Sequence, residues 1–383
     1  MAFTLALPKI NISGENAIKE LVSLLVNKSS GHGFIIADQA LEQLGLLEPL
    51  IQELDRNHLV FSCFTDTVPN PTVTVVDQAF EAFKASGADY IIGFGGGSAI
   101  DTAKAVKILT ANPQPITMYT GAGNVKNPGV PLYAINTTAG TAAEVTSNAV
   151  ITDEETKVKC VIIDSNIIPD ISVNDPAIML GLPAEVTAAT GMDALTHAIE
   201  AYVSVGAHTL TDHSALESVR VISKYLPHAV EDGSNLEARE MMALGQFLAG
   251  MAFNSAGLGM VHAMAHPAGA HKNLPHGVCN AILLPIVCEF NRPHRVEKFA
   301  NLASALGCKT EGLSQEQASI EAIKAIRELS EKVGIPKGFA QLGVIEQDVK
   351  VWVASALADP CAGGNPVEMA ADDVLALYKK SLG

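Results

Sequence analysis

The sequence has 383 residues, of which 48% are hydrophobic and 17% charged, a balance that supplies a large core and excludes a disordered chain. With 25 Lys and Arg against 41 Asp and Glu, the formal net charge is −16, and no basic run is present. We therefore expect neither nucleic acid nor an anionic membrane surface as a partner. The length suggests two or three domains.

The cysteines and the chain start concern the cellular compartment. The six cysteines form no C-x-x-C pair, and their spacing matches neither a disulfide framework nor a zinc knuckle. Free thiols are typical of the reducing cytosol. The start of the sequence lacks the basic and long apolar segments of a signal peptide, and no apolar run approaches the ~18 residues of a membrane span. We therefore predict a cytoplasmic protein.

In the first part of the chain, short apolar runs alternate with helical patterns. The apolar runs predict strands at residues 34–37, 90–94, 132–135, 159–164 and 171–174. Helical patterns lie between them, notably at 73–85 and 100–109. This alternation predicts βαβ units and a mostly parallel sheet.

In the second part, long stretches rich in Ala, Leu, Met and Glu replace the alternation. They predict helices at residues 184–203, 212–230, 236–268, 315–333 and 372–382. We therefore predict an α/β domain over residues 1–182 and an all-helical domain over residues 183–383, with a cleft between them.

A glycine turn follows the predicted strand at 90–94. Glycines let a backbone approach an anion closely, and a helix N-terminus favours negative charge, so Gly96, Gly97 and Ser98 are candidates for holding a nucleotide phosphate. Ser98 and Asp101 have the spacing of a capping box for the next helix. The pattern departs from G-x-G-x-x-G because Ser98 stands in the third glycine position. An ordinary tight turn is the alternative.

A second turn, with the sequence NTTAGT, follows the strand at 132–135. It offers the hydroxyls of Thr137, Thr138 and Thr141 together with backbone N–H groups. Alone it is equally compatible with a helix cap. Two such turns at the carboxyl ends of strands lie where α/β sheets bind ligands, so together they favour a nucleotide phosphate.

Asp38 ends the strand at 34–37, well before the glycine turn, whereas the usual acidic residue of a dinucleotide fold follows its glycines. Its carboxylate is able to accept hydrogen bonds from an adenosine ribose and would repel a 2′-phosphate. Without further context, a turn or cap aspartate is the simpler interpretation.

Histidines cluster near residue 270. The window from His262 to His276 also holds His266 and His271, and the first two of these four are spaced i, i+4. Upstream, Asp193 and His197 have the same spacing, which places each pair on one face of a helix. Two such pairs suit a metal site in a helical core. Three imidazoles and a carboxylate favour Fe(II), Zn(II) or another first-row ion over Ca²⁺ or Mg²⁺.

Four segments carry a resemblance that extends over essentially the whole chain. They are GADYIIGFGGGSAIDTAKA, INTTAGTAAEVT, ATGMDALTHAIEAY and GLGMVHAMAHPAGAHKNLPHGVCNAILLP. They resemble the signature segments of the iron-activated (group III) alcohol dehydrogenases, in the branch of the bacterial ethanol, lactaldehyde/1,2-propanediol and 1,3-propanediol oxidoreductases. The resemblance implies a dehydroquinate-synthase-like fold, with an N-terminal nucleotide-binding α/β domain and an all-helical C-terminal domain.

The resemblance also assigns site residues. It implies that the metal ligands are Asp193, His197, His262 and His276, and that His266 stands beside the nicotinamide and the substrate. The cofactor contacts that it implies are Asp38, Asn70, Gly96, Gly97, Ser98, Thr137, Thr138, Thr141, Asn148 and Lys159. We add Asp101, which follows the glycine turn. His271 and Lys272 stand where related sequences usually carry aromatic residues, which leaves the substrate range open.

The activity that the resemblance implies is an Fe(II)- and NAD(H)-dependent alcohol dehydrogenase or aldehyde reductase. Its substrates would be short primary alcohols or diols, and its assembly a homodimer or a larger homo-oligomer. Two alternatives stay open: a zinc-dependent enzyme similar to glycerol dehydrogenase, and a lyase similar to dehydroquinate synthase, which recycles its NAD.

Overall fold

The computed structural model describes residues 3–28 and 31–383, and the chain divides into two compact units. The α/β unit comprises Ala6–Thr138 and Ala142–Gly181. The helical unit comprises Leu182–Gly383, the short segment Ala139–Thr141 and the N-terminal segment up to Leu5.

The α/β unit contains all the strands of the described residues. The strands are β1 (Ile10–Ser13), β2 (Gly33–Asp38), β3 (Phe61–Thr67), β4 (Tyr90–Gly95), β5 (Gly121–Ala122), β6 (Leu132–Asn136), β7 (Asn148–Asp153), β8 (Val158–Ile163) and β9 (Ile171–Asn174). Its helices are α1 (Ala17–Asn27), α2 (Gln39–Gln43), α3 (Glu48–Arg56), α4 (Val73–Ser86) and α5 (Gly97–Leu109).

Six of these strands form a sheet in the order β1-β9-β6-β4-β2-β3, and every pairing in it is parallel. β4 lies between β2 and β6, and all six of its residues are buried, as expected for a strand covered on both faces. On one face, Val76 and Phe80 of α4 and Val106 of α5 pack into a core with Phe34 and Ile91 of the sheet. The predicted parallel sheet is thereby confirmed.

A small second sheet was not predicted. β8 pairs with β5 in parallel and with β7 antiparallel, so the strand expected at 159–164 belongs to this sheet and not to the parallel one. The reason is the short turn between β7 and β8, in which Lys157 has a φ of 60°. Two strands joined by so short a connection pair with each other, because a parallel crossover needs a dozen or more residues.

The helical unit contains the remaining α-helices. They are α6 (Ala184–Val203), α7 (Thr209–Glu231), α8 (Leu236–Ala256), α9 (Met260–Lys272), α10 (His276–Asn291), α11 (Val296–Ala305), α12 (Gln315–Lys332), α13 (Glu346–Ala358) and α14 (Ala371–Lys380). α6 packs against α7, α8 and α10, so the side chains of its second half are buried all round, polar ones included.

The prediction of one helix over residues 236–268 was wrong, because the chain turns after Ala256. Gly257 has a φ of 75°, a left-handed conformation that glycine adopts at low cost, and the axes of α8 and α9 differ by 103°. In the described residues, no single helix is long and apolar enough to cross a membrane; only this bent pair passes that test, when its two helices are taken together.

Candidate metal and cofactor sites

Three helices of the helical unit bring the predicted metal ligands together. Asp193 and His197 lie one turn apart on α6, His262 lies on α9, and His276 is the first residue of α10. One ligand atom each from Asp193, His262 and His276 lies within 4.8 Å of the others. Asp193 Oδ1 is 3.8 Å from His262 Nε2 and 3.6 Å from His276 Nε2. Residues separated by more than eighty positions thus form one cluster.

His197 lies at the edge of this cluster. Its ring stacks between the ring of His262, at a centroid distance of 4.5 Å, and the ring of Phe253, at 4.4 Å. His271 is exposed at the end of α9, and its neighbour Lys272 pairs with Asp348 at 2.9 Å. His197 is therefore in ring contact with the cluster, but the ligand atoms that lie within 4.8 Å of one another do not include one from His197, and His271 lies outside the cluster.

A close contact between two helices places His276. Gly277 follows it on α10, and a Cβ on Gly277 would lie 2.3 Å from the backbone oxygen of Ala189 on α6 and 3.3 Å from Asp193 Cβ. Real Cβ atoms do not approach this closely, so the absence of a side chain at Gly277 permits the approach of α10 to α6. That approach sets the distance between His276 and Asp193.

Burial favours the neutral form of two imidazoles, those of His197 and His262. It lowers the pKa of His197, and it lowers that of His262 well below the usual value, with the neighbouring histidines acting in the same direction. Neutral imidazole is the form that binds a metal, so proton competition at these two residues is weak near neutral pH.

Two residues that the sequence analysis missed contact the candidate ligands. Glu200 Oε2 lies 2.6 Å from His262 Nδ1, and the Val261 N–H donates to Glu200 Oε1 at 2.7 Å. The Asn280 amide lies 2.6 Å from Asp193 Oδ1, 3.0 Å from His262 Nε2 and 3.1 Å from His276 Nε2. Asn280 follows His276 by four positions, the same spacing that identified the other pairs, so the sequence did carry a signal for it.

Glu200 orients His262. A carboxylate at Nδ1 leaves Nε2 as the nitrogen directed at the cluster, which is the usual arrangement of histidine ligands. Burial raises the pKa of Glu200 to about 8, although backbone N–H groups of Val261 and Gly259 oppose this. A cation bound at the imidazoles would favour the ionised carboxylate further.

His266 has a carboxylate partner of its own. It also lies on α9, but its Nδ1 is 2.7 Å from Asp359 Oδ2, and its ring stacks on His276 at a centroid distance of 5.5 Å. Asp359 was missed because it follows His266 by 93 positions and no local pattern marks it. His266 thus adjoins the cluster while its Nδ1 is engaged elsewhere.

In the α/β unit, the two predicted turns lie side by side. The Thr137 N–H donates to the carbonyl of Gly95 at 3.1 Å, and a Cβ on Gly96 would lie 3.1 Å from Thr138 Oγ1. The hydroxyl of Thr137 is buried and has no hydrogen-bond partner among residues 3–28 and 31–383. Thr141 belongs to the helical unit, in the segment Ala139–Thr141.

The predicted capping box at Ser98 and Asp101 was wrong. α5 begins at Gly97, its N-cap residue is Gly96, and Ser98 lies inside the helix. Asp101 Oδ2 instead accepts the Val150 N–H at 3.0 Å, a contact with β7 that the local sequence does not reveal. The N-cap glycine supplies no side chain to the first N–H groups of α5, which suits an anion site.

Asp38 lies at the end of β2, beside the glycine turn. Its Oδ1 accepts the Leu41 N–H at 2.9 Å and so caps α2, while its Oδ2 would be 3.8 Å from a Cβ on Gly95. Burial raises the pKa of this carboxyl, and hydrogen bonds from Leu41 and Ala40 oppose the shift. Asp38 therefore caps α2, as the simpler interpretation predicted, and it also lies next to the glycine turn.

The other predicted cofactor contacts form a polar cluster between α5 and the small sheet. Lys159 Nζ donates to Asn70 Oδ1 at 2.6 Å, and Lys104 Nζ donates to the carbonyl of Asn148 at 2.6 Å. Burial raises the pKa of Asp101 to about 6, and the charges of Lys104 and Lys159 limit the rise. Lys104, with a fully buried side chain and a pKa that burial lowers to about 8, was not predicted.

The α/β unit has a parallel sheet with adjoining glycine and threonine turns, and the helical unit has a carboxylate and two imidazoles in one cluster with a third imidazole stacked on it. Together these features are typical of a metal-dependent dehydrogenase. The two units match two family descriptions: residues 8–176 match "Iron-containing alcohol dehydrogenase", and residues 187–382 match "Fe-containing alcohol dehydrogenase family, C-terminal". The chain belongs to the iron-containing alcohol dehydrogenase family.

Individual relatives agree with this membership. The chain is 42% identical to lactaldehyde reductase of Escherichia coli K12, over 95% of this chain and 96% of that protein. It is 40% identical to the NAD-dependent methanol dehydrogenase of Bacillus methanolicus, over 98% and 99%. A crystal structure of 1,3-propanediol oxidoreductase matches with a TM-score of 0.97 and 40% identity, over 100% of both chains. The predicted fold and the predicted activity class, an alcohol dehydrogenase or aldehyde reductase, are thereby confirmed.

Proposed function

We propose that this chain transfers hydride between NAD(H) and short-chain primary alcohols, diols or their aldehydes, and that it requires Fe(II). The convergence of Asp193, His262 and His276 within 4.8 Å carries the proposal. The metal and cofactor residues that the sequence predicted are part of the proposal.

The donor set fits the metal. Three imidazoles and one carboxylate suit Fe(II) or Zn(II), because borderline ions prefer nitrogen ligands whereas Ca²⁺ and Mg²⁺ prefer oxygen. We assign the ligands as Asp193, His197, His262 and His276. When bound, the ion supplies Lewis acidity that lowers the pKa of the substrate hydroxyl.

The α/β unit fits a dinucleotide. The buried, unpartnered hydroxyl of Thr137 and the side-chain-free surface of Gly96 offer a hydrogen bond and space to a pyrophosphate. We assign the remaining predicted contacts to the same cofactor: Asp38, Asn70, Gly97, Ser98, Asp101, Thr138, Thr141, Asn148 and Lys159. The carboxylate of Asp38 favours NAD over NADP, since a 2′-phosphate beside it would be repelled.

The side chains have separate tasks in alcohol oxidation. Bound NAD would supply the hydride acceptor, and the hydroxyl proton must leave as the aldehyde forms. We assign that proton to His266, which adjoins His276 without being among the proposed ligands. Phe253, which is 5% exposed and stacks on His197, would help to keep water from the reacting atoms.

The test is NADH oxidation with propanal. The protein is stripped with a chelator and reloaded anaerobically with Fe(II) or with Zn(II). Turnover with Fe(II) and little with Zn(II) is the expected result. Turnover with Zn(II) alone would favour a zinc enzyme, and stoichiometric metal binding without turnover by either form would refute the proposal and favour the lyase alternative.

A variant separates the two roles assigned to histidines. His266→Ala should lower turnover while the metal content stays stoichiometric, whereas His262→Ala should lose the metal. Metal content is measured by atomic emission after gel filtration. Loss of metal from His266→Ala would mean that His266 is itself a ligand.

We also propose the domain limits 1–182 and 183–383, a cytoplasmic location and a homodimer. β1 supports the dimer, because it is an edge strand of the six-stranded sheet and Ile10 on it is 38% exposed. Light scattering after gel filtration measures the molar mass in solution, and a monomer at micromolar concentration would contradict the proposed homodimer.

A further inference from the structure

Asp359 and Cys361 form a small polar cluster with His266 in the helical unit. The side chains of His266 and Asp359 are each only 8% exposed, and His266 Nδ1 lies 2.7 Å from Asp359 Oδ2. Asp359 directly follows α13, and its Oδ1 accepts the Cys361 N–H at 2.9 Å. The carboxylate is therefore held at one oxygen by the turn that it caps and at the other by the imidazole.

The bonding pattern sets the tautomer of His266. A carboxylate only accepts hydrogen bonds, so the hydrogen between the two residues must lie on Nδ1. Burial alone would raise the pKa of Asp359, but the neighbouring His266 and the hydrogen bonds from His266 and Cys361 outweigh it and keep this pKa below its usual value. Asp359 is thus the acceptor in this hydrogen bond, and in the neutral imidazole, whose hydrogen is then on Nδ1, Nε2 carries the lone pair.

We propose that Asp359 is a positioning residue, which fixes His266 in the Nδ1–H tautomer so that Nε2 is the atom that accepts the substrate proton. This inference rests on the role proposed for His266. In alcohol oxidation the hydroxyl proton goes to Nε2, the electron pair of the O–H bond becomes part of the new C=O bond, and the hydride goes to the nicotinamide. Asp359 stabilises the doubly protonated imidazole until its proton leaves.

Cys361 makes an amide a poor substitute for this carboxylate. The Cys361 N–H requires an oxygen acceptor at residue 359. In Asp359→Asn that acceptor would be Oδ1, so the NH2 group would face His266 Nδ1 and force the hydrogen onto Nε2. We expect kcat to fall on the order of 10²- to 10³-fold, as for loss of a general base, with KM within about threefold.

The decisive readout does not depend on turnover. Protein labelled with ¹⁵N-histidine and loaded with Zn(II), which is diamagnetic, is studied by solid-state NMR, and His266→Gln assigns the signal. The expected result is a protonated Nδ1 in the wild type and a protonated Nε2 in Asp359→Asn. An Nε2–H tautomer in the wild type, or the same tautomer in both proteins, would overturn the proposal even if the enzyme proved to have another activity.

Two controls accompany the measurement. Asp348→Asn removes a carboxylate from the other end of α13, together with its ion pair to Lys272, and should change neither the tautomer nor the ratio of kcat to KM. Zinc stoichiometry tests the alternative that His266, Asp359 and Cys361 hold a second ion. If the protein bound a second equivalent of zinc and Cys361→Ser abolished that binding, the positioning role of Asp359 would be overturned.

Discussion

The close approach of α10 to α6 leads to a quantitative prediction for Gly277→Ala. The new Cβ would begin 2.3 Å from the oxygen of Ala189, so the start of α10 must recede by about 1 Å to reach an ordinary contact. Alanine gains at most ~1 kcal/mol of helix propensity, whereas overpacking costs about 1–3 kcal/mol, so a net loss of stability is expected. Because a His–metal bond is only about 2.1 Å long, the displacement of His276 should lower metal affinity roughly 10- to 100-fold.

The assay is competition between the protein and a chelator of known affinity, under anaerobic conditions, with thermal unfolding of the metal-free forms in parallel. Gly363→Ala is the matched control, because a Cβ on Gly363 would meet nothing within 4 Å. The metal affinity of this variant should equal that of the wild type. A folded Gly277→Ala protein with wild-type metal affinity would refute the argument that this contact sets the position of His276.

Three further substitutions test separate parts of the molecule. Glu200→Gln should lower metal affinity about 10- to 100-fold in the same competition assay, because the amide NH2 would face His262 Nδ1; equal affinity would contradict the orienting role. Asp38→Asn keeps an oxygen acceptor for the Leu41 N–H but removes the negative charge. The value of kcat/KM with NADPH, divided by the value with NADH, should therefore rise on the order of tenfold, and an unchanged ratio would contradict charge repulsion by Asp38. The pKa of Asp101 is about 6 in the native state, against 3.8 for an exposed carboxyl, so between pH 4 and pH 6 the native state binds a proton that the unfolded state has released. The contribution of Asp101 to the free energy of unfolding therefore falls as the pH rises through this range. In urea unfolding, the free energy of unfolding of Asp101→Asn should therefore increase by about 1 kcal/mol relative to that of the wild type between pH 5 and pH 7. If the difference between the two proteins stayed the same at both pH values, that would argue against a raised pKa.

The sequence predicted those parts of the site that follow helix periodicity. Asp193 with His197 and His262 with His266 are spaced at i, i+4, and one helical turn necessarily places such pairs on one face. The same rule would have found Asn280 from His276. No such rule links Asp359 to His266, because their contact depends on how α13 packs against α9.

Local patterns failed where a distant partner competed for the same group. Asp101 has the spacing of a capping box with Ser98, yet its carboxylate accepts a backbone N–H of Val150 from another element. The break between α8 and α9 did have a local signal, since Gly257 and Gly259 lie close together, but the apolar pattern continues across it. Periodicity therefore predicted the helical content and not the turn that directs α9.

The convergence of Asp193, His262 and His276 also has a mechanical meaning. An ion shared by Asp193 and His276 would cross-link the chain and close a loop of about eighty residues that runs through α6, α7, α8 and α9. By the chain-entropy relation for cross-links, closing a loop of that length restricts the unfolded chain by about 4–5 kcal/mol. Metal content would then govern how long the helical unit survives heat or proteolysis, independently of any substrate.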